Sequence, residues 1–305
     1  MSAPDSTAAG NPASFGMAMM IGAMLIAPGL DTLAKLLLER LSPAQVGVGR
    51  FLAQTIVLLP IVLASHRMRR PTALHAAGGA FLGLSLLCLN MALREMPVAN
   101  ALAIFFVEPL ALTALGAIFL GERVGWRRSS AIAFGLIGAV VVLRPNIAAY
   151  GTAAFWPLAT AVLFACYMLT NRIVARRGDR LALQFWAGIF AMAALAAALA
   201  IGLATGSDPA LLLVPTRREL GLFVMIGVLA AIVHGLIVAA LAQVEAGLVA
   251  PFQYLEIVSA TLLGWLVFGD FPDAVTWTGT AIIVAAGVYV FHRERLRPAR
   301  SVPGT

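Results

Sequence analysis

The sequence predicts an all-α membrane protein with ten transmembrane helices arranged as two inverted five-helix repeats. Three observations support this fold class: an apolar composition, a regular series of apolar segments, and one pattern that occurs twice. Hydrophobic residues make up 61% of the 305 residues and charged residues 11%, far from the balance of soluble globular proteins. Helices are expected because lipid cannot satisfy free backbone groups and the chain lacks the alternating pattern of membrane strands.

Ten mostly apolar segments follow one another, each near the roughly 20 residues that a helix needs to cross a bilayer. The first is expected to insert the chain, because the residues before it lack the basic residues and cleavage site of a removable signal peptide. Pro28 and Gly29 weaken this first helix and predict a bend. The predicted spans are 15–38, 44–64, 73–93, 98–120, 127–143 (the shortest), 152–173, 182–204, 220–242, 247–268 and 274–292, with an N-terminal tail at 1–14 and a basic C-terminal tail at 293–305.

The repeated pattern lies in the fourth and ninth spans and in the turns that follow them. Residues 92–123 align without a gap with residues 240–271, which places Glu108 on Glu256. Because the two spans are five apart, an odd number, they must cross in opposite directions, as in the inverted repeats of many secondary transporters. The predicted repeats are residues 15–146 and residues 151–292.

Arginines in the short loops predict the orientation of the chain. They concentrate in the loops after the second, fourth and sixth spans and in the C-terminal tail. These regions are therefore expected to face the cytoplasm of a bacterial cell, with the chain in the inner membrane and both termini inside. The formal charge of +7 then reflects topology and contact with anionic lipid, not nucleic-acid binding.

No pattern in the chain is typical of catalysis, cofactor binding or metal binding. There is no nucleotide-binding loop, no HExxH, and no nucleophile beside a base and an orienting group. Cys88 and Cys166 both fall in the middle of spans and are expected to be packing residues. Gly79 and Gly83, four residues apart, predict a face on which two helices pack closely. We expect no enzyme activity, no cofactor and no metal, so energy would come from a solute gradient, a proton or an exchanged solute.

Both halves end in the same way: a helix containing Glu108-Pro109 or Glu256, a Gly-Glu or Gly-Asp turn, and a last helix with spaced glycines. This arrangement resembles the EamA family of the drug/metabolite transporter superfamily over nearly the whole chain. The resemblance implies a ten-helix carrier whose central cavity is lined mainly by the first, third, fourth, sixth, eighth and ninth helices. It also implies that the fifth and tenth helices lie at the periphery.

Members of that family export amino acids or move other metabolites. The ninth span differs from the usual family pattern, because Pro251 precedes the glutamate in the stretch APFQYLE at residues 250–256. A similar stretch is found in S-adenosylmethionine and vitamin carriers, so amino-acid export is not the only function that the resemblance implies.

Glu108 and Glu256 are the leading site candidates, because each lies near the middle of its span. A carboxylate at that depth costs at least a few kcal/mol, about 2.5–3.5 on insertion scales, so it should face a wet cavity, bind a partner or carry a proton. The two glutamates are either a proton-sensitive or cation-binding pair, or hydrogen-bond anchors that hold the halves together.

Other side chains are predicted to line the same chamber. Gln253 and Phe105 each lie three residues before a glutamate and so share its helix face, with Tyr254 at the edge. Aromatic walls with few polar groups suit an amphipathic small molecule. The alternative is that these rings only pack against lipid or other helices. The remaining cavity candidates are His234, Tyr167, Asp31 and Asn90.

Charged residues in the first two spans also need partners. Lys35, the only lysine, lies four residues after Asp31. The two either form a salt bridge with the lysine reaching outward, or Asp31 lines the cavity and changes its contact during gating. Arg50 could pair with Asp31, Glu108 or a carbonyl group and is expected to be structural. The structural or gating candidates are Pro28, Gly29, Lys35, Arg50, Pro109 and Pro251.

Taken together, the sequence predicts a secondary or facilitative transporter that works by alternating access. Its partners would be a small solute and the lipid bilayer, with possible proton coupling through the glutamates. The first hypothesis is export of amino acids or similar small amphipathic metabolites. The alternatives are uptake of a nucleoside-like or vitamin-like solute, such as S-adenosylmethionine or riboflavin, and broad-specificity drug export.

Overall fold

The computed structural model describes residues 12–64, 70–120, 126–175, 180–206, 212–244 and 250–295. Within these ranges all regular structure is helical. The α-helices are α1 (Pro12–Ile26), α2 (Pro28–Leu38), α3 (Pro43–Ala64), α4 (Ala73–Glu95), α5 (Val98–Phe105), α6 (Glu108–Leu120), α7 (Trp126–Tyr150), α8 (Trp156–Ala175), α9 (Arg180–Thr205), α10 (Arg217–Gln243), α11 (Leu255–Phe268) and α12 (Ala274–Arg295). Short 3-10 helices cover Gly151–Phe155 and Ala250–Tyr254.

The helices have the length and composition of membrane spans. Among the described residues, six helical stretches are long and apolar enough to cross a bilayer. Two further apolar stretches, Phe252–Phe268 and Ala274–Tyr289, are shorter. The predicted fold class, an all-α membrane protein, is therefore confirmed, while the number of ten spans stays a prediction. Much of the two predicted tails lies outside the described residues.

Three of the predicted spans contain a break in the helix. The first is divided at Ala27, and Pro28 begins α2, as the predicted bend requires, because proline has no N–H to continue the hydrogen-bond ladder. The fourth is divided between Phe105 and Glu108, a break that the sequence did not predict. The ninth begins with a 3-10 helix before α11, and its predicted start at residues 247–249 lies outside the described residues.

The fifth span is predicted to end at residue 143, and the helix that contains it is longer. Helix α7 continues to Tyr150 with Pro145 inside it. A proline removes one hydrogen bond from a helix and need not end it. The Asn146 side chain donates to the Val142 carbonyl at 2.7 Å, and Gly151, with φ of 59°, begins the 3-10 helix that follows.

Packing between the halves follows the symmetry that an inverted repeat requires. Helix α4, the third span, packs on α8 and α9, and its counterpart α10, the eighth span, packs on α1 and α3. The fourth span contacts α8 through α6, and the ninth contacts α1 through α11. The fifth and tenth spans, α7 and α12, pack against each other. Exchanging the two halves therefore reproduces the same set of helix pairs.

One side chain shows that the repeated helices run in opposite directions. Lys35 Nζ donates to the Met96 carbonyl and to Asp270 Oδ2, both at 3.1 Å. Met96 precedes α5 and Asp270 follows α11, so α5 leaves this end of the bundle and α11 arrives at it. We call this end, where Lys35, Met96 and Asp270 meet, the lysine end.

Small residues allow close contact between helices of the two halves. A Cβ atom added at Gly79 would meet Phe190 and the Ala187 carbonyl of α9, and one added at Gly83 would meet the backbone of Ala191. The predicted close-packing face of α4 is therefore confirmed. Gly138 and Gly279 allow the same approach between α7 and α12.

Candidate substrate site

The two glutamates lie at similar depth and both begin a helix. Glu108 is the first residue of α6 and Glu256 the second residue of α11. Glu108 follows Met96 by 12 residues and Glu256 precedes Asp270 by 14. At 1.5 Å per residue, they lie about 18 Å and about 21 Å from the lysine end. Both distances are close to half of the roughly 40–45 Å that a bilayer spans with its headgroup regions.

The carboxylate of Glu108 has a buried oxygen without a partner. Glu108 Oε1 is buried and makes no hydrogen bond with any described residue. Its helix N-terminus favours a negative charge, because the first N–H groups of a helix lack partners within that helix. The anchor interpretation of Glu108 requires a hydrogen-bond partner for this oxygen, and none is found in the described part of the chain.

A column of five aromatic rings runs beside Glu108 and joins the two halves. Ring centroids are 5.3 Å apart for Phe106 and Tyr254, 6.0 Å for Phe105 and Phe106, and 5.6 Å for Phe105 and Phe164. Phe164 and Tyr167 follow at 5.5 Å. The Phe105 and Tyr254 candidates thus meet around Phe106, which the sequence did not single out. In a continuous helix, Phe106 would not share a face with Glu108. The break at residues 106–107 separates α5 from α6, so this spacing rule does not apply across it.

Tyr254 lies at the end of this column opposite Tyr167. It is buried, and it lies within electrostatic reach of Glu108. Its hydroxyl has no hydrogen-bond partner among the described residues and packs where Gly287 of α12 has no side chain. Gln253, by contrast, is exposed. Gly287 is therefore needed for the position of the Tyr254 ring.

A second group of polar residues connects α2, α3, α10 and α11. Arg50 Nη1 donates to Asp31 Oδ1 at 3.0 Å. Glu256 lies within electrostatic reach of Asp31, and His234 within that of Arg50. His234 Nδ1 donates to the Ala230 carbonyl at 2.7 Å, and its Nε2 lies 3.2 Å from the Gln184 amide nitrogen. We call Asp31, Arg50, His234 and Glu256 the charged cluster.

The salt bridge considered between Asp31 and Lys35 is wrong. Asp31 pairs with Arg50, as one of the alternatives for Arg50 had it, and Lys35 pairs with Asp270 of the other half. Lys35 also lies 4.8 Å from the centroid of the Phe268 ring. Asp270 aligns with Glu122 in the repeated pattern, but the sequence analysis did not select it as a site residue, and its partner is 235 residues away.

The remaining candidates are placed as follows. Asn90 is fully buried and donates to the Pro43 carbonyl at 2.9 Å. Tyr167 is buried at one end of the aromatic column and bonds to Asn171. Pro28 is buried at the break between α1 and α2, and Pro109 is buried in the first turn of α6. A Cβ atom added at Gly29 would meet the Leu229 side chain. The side chain of Pro251 is outside the described set.

Polar contacts between the halves close the lysine end. Arg40 Nη1 donates to Glu219 Oε2 at 2.7 Å, and Gln45 exchanges two hydrogen bonds with the backbone of Leu213. The Lys35–Asp270 pair lies at the same end. Leu37, Leu41, Leu93, Met96 and Val98, near this end, are all at most 1% exposed. These contacts join the two halves at the lysine end.

A cleft of about 410 Å³ lies elsewhere, between α7 and α12. Its walls are almost entirely apolar, and they include none of the predicted site residues. We therefore do not assign it to the solute. The cleft is lined by Ser130, Ala131, Phe134, Ile282, Ala285, Ala286 and Tyr289.

Comparison with known proteins places this geometry in a family. The model of the EamA-like transporter family matches the chain twice, at residues 14–144 and 151–291, close to the two predicted repeats. A solved crystal structure has a TM-score of 0.62 and 20% identity, covering 92% of this chain and 98% of its own. This similarity shows the fold alone.

Relatives with assigned functions include transporters of several different solutes. The S-adenosylmethionine uptake transporter of Rickettsia bellii is 26% identical over 95% of this chain and 97% of its own length. The riboflavin transporter of Rhizobium johnstonii is 31% identical over 67% of this chain and 65% of its own. The pseudopaline exporter CntI of Pseudomonas aeruginosa is 30% identical over 68% of this chain and 71% of its own. The chain belongs to the EamA-like transporter family and is a membrane transporter, not an enzyme.

Proposed function

We propose that this transporter takes up a nucleoside-like or vitamin-like solute, such as S-adenosylmethionine or riboflavin, by alternating access. The observation that carries the proposal is the aromatic column, with Phe106 from one half 5.3 Å from Tyr254 of the other, beside the unpaired Glu108. Flat rings stack favourably on aromatic side chains. The names of the relatives from Rickettsia bellii and Rhizobium johnstonii support the same solute classes.

Export of amino acids or similar small amphipathic metabolites is the second candidate. It is supported by the acidic groups at the centre, which would attract an ammonium, and by the exporter from Pseudomonas aeruginosa. The aromatic column is longer than most amino-acid side chains, which could contact only part of it. We therefore place this function second. A broad-specificity drug exporter is the third.

The transport cycle that we propose moves one half against the other about the level of Glu108 and Glu256. The lysine end is closed by contacts between the halves. By the positive-inside rule this end faces away from the cytoplasm, and the chain lies in the inner membrane with both termini inside. Reaction of cysteines introduced at Tyr150 and Asp273, but not at Arg177, with an impermeant reagent added outside cells would support this orientation.

The test of the proposed function is transport by the purified protein in proteoliposomes. The solutes are S-adenosylmethionine, riboflavin, a panel of amino acids and a cationic dye, each measured with and without an imposed proton gradient. We expect saturable flux of S-adenosylmethionine or of riboflavin, and we expect analogues of the transported compound to compete with it. Saturable flux of amino acids alone would favour the second candidate. Flux of all compounds without saturation or competition would contradict both, and a response to the proton gradient would support coupling.

A further inference from the structure

Arg50, the eighth residue of α3, is a partly buried cation with unused hydrogen-bonding capacity among the described residues. Its guanidinium has five N–H donors. Within the part of the chain that the structure describes, one of them is bonded, to Asp31 Oδ1 at 3.0 Å. The Arg50 and Asp31 side chains are 17% and 13% exposed, so both are reachable by small molecules. The single contact orients the guanidinium and leaves donors for another acceptor.

The neighbours of Arg50 do not provide that acceptor. His234 is within electrostatic reach, but both of its ring nitrogens are engaged, with the Ala230 carbonyl and the Gln184 amide. Glu256 lies within electrostatic reach of Asp31. Asp31 and Arg50 come from one half, and Glu256 comes from the other. The charged cluster therefore presents a cation and an acid across the boundary along which the halves would move.

We infer that Arg50 binds a carboxylate of the transported solute while Glu256 receives its ammonium. The planar guanidinium fork matches the two oxygens of a carboxylate, which is the geometry that arginine favours. A solute with an amino-acid head at the charged cluster could place a flat ring toward Phe106 and Tyr254. The inference rests on the proposed function and narrows it, because S-adenosylmethionine carries both head groups and riboflavin carries neither.

The test compares S-adenosylmethionine with decarboxylated S-adenosylmethionine, which lacks the carboxylate and keeps the ring, the sulfonium and the amine. Wild-type protein should bind the complete compound at least about tenfold more tightly, as expected for loss of one charge-assisted contact. Arg50→Gln should lose this preference, because its affinity for S-adenosylmethionine should fall while its affinity for the decarboxylated compound stays the same. Arg50→Lys should restore part of it, because an ammonium keeps the charge without the fork. Arg94→Gln, on an exposed arginine of α4, is the matched control.

Equal affinity of the wild-type protein for the two compounds would overturn the inference, and this comparison does not require Arg50→Gln to fold. The inference would also be overturned if a folded Arg50→Gln protein lost affinity for both compounds by the same factor. If wild type transports amino acids instead, the uptake proposal fails, and the same comparison of an amino acid with its decarboxylated amine still tests Arg50. Failure of folded wild type to bind any carboxylate-bearing member of the panel would also contradict a role for Arg50 in recognition.

Discussion

The two glutamates differ in their surroundings although the sequence makes them equivalent. Glu108 has a buried oxygen with no described partner and lies beside the aromatic column. Glu256 lies near Asp31 and thus near the charged cluster. The aligned positions gave no sign of this difference, because it comes from helices of the opposite half. A pair related by symmetry can therefore contribute two different contacts to one solute.

Replacing either glutamate by glutamine should lower the affinity for a positively charged solute by about tenfold, because a charge-assisted hydrogen bond is roughly twice as strong as a neutral one. Neither side chain makes a hydrogen bond that the structure describes, so both variants should remain folded. The measurement is the affinity of each purified variant for the transported cation, with Glu95→Gln at an exposed position as the control. Normal transport at every pH in well-folded variants would leave both residues as scaffold.

The contact of Tyr254 with Gly287 allows a test of the ring position. A methyl group at Gly287 would overlap the Tyr254 hydroxyl, so Gly287→Ala should displace the ring and lower stability by about 1–3 kcal/mol, the usual cost of overpacking. Removing the hydroxyl in Gly287→Ala/Tyr254→Phe should recover part of that loss. Thermal unfolding in detergent of the wild type, Gly287→Ala, Tyr254→Phe and the double variant measures the coupling between the two positions. Additive effects of the two substitutions would show that the ring and Gly287 do not interact as described.

The helix breaks show how far local sequence signals reach. Pro28 begins α2 and its effect was predicted, because Pro-Gly weakens a helix wherever it occurs. Pro109 lies in the first turn of α6, where proline is tolerated, so the break comes before Glu108 and not after it. In both spans the break therefore comes just before a helix whose first turn contains the proline. Pro145 lies inside α7 without ending it.

Close packing of α4 on α9 should depend on the lack of a side chain at Gly83. A Cβ atom there would meet the backbone of Ala191, which cannot move as a side chain can. We expect Gly83→Ala to lower the unfolding free energy by about 1–3 kcal/mol, although alanine is the better helix former. Gly221→Ala in α10 is the control, since nothing lies within 4 Å of its added Cβ. Equal melting temperatures for the two variants would contradict the close contact.

At the scale of the whole molecule, the two halves and their opposite directions could be read from the repeated pattern. Glu108 and Glu256 were also placed near mid-membrane by counting residues. The partners of Lys35, Arg40 and Arg50 could not be read in this way. Two of these three pairs join residues more than 170 positions apart, and their choice depends on how the halves are packed. Periodicity determines which face of a helix is polar, but not which helix it meets.

The ion pairs at the lysine end should set the balance between closed and open states, because they join the halves and must separate when this end opens. The Lys35 and Asp270 side chains are 18% and 32% exposed, so the pair is worth no more than about 1 kcal/mol, or roughly fivefold in the equilibrium. Asp270→Asn and Lys35→Met should each raise the open population by up to that factor. The double variant Lys35→Asp/Asp270→Lys, which exchanges the two charges, should lower the open population again toward the wild-type value.

The open population can be measured by maleimide labelling of a cysteine at Val98, which is fully buried near the lysine end, after replacement of Cys88 and Cys166. Labelling should be faster in Asp270→Asn, and faster again when Arg40→Gln removes the second pair with Glu219. Glu39→Gln, at an exposed acid of the same end, should leave the rate unchanged. Unchanged labelling in Asp270→Asn and Arg40→Gln together would mean that apolar packing, not the ion pairs, holds the lysine end closed. In that case a bound solute would have to overcome burial of Leu37 and Met96 to open it.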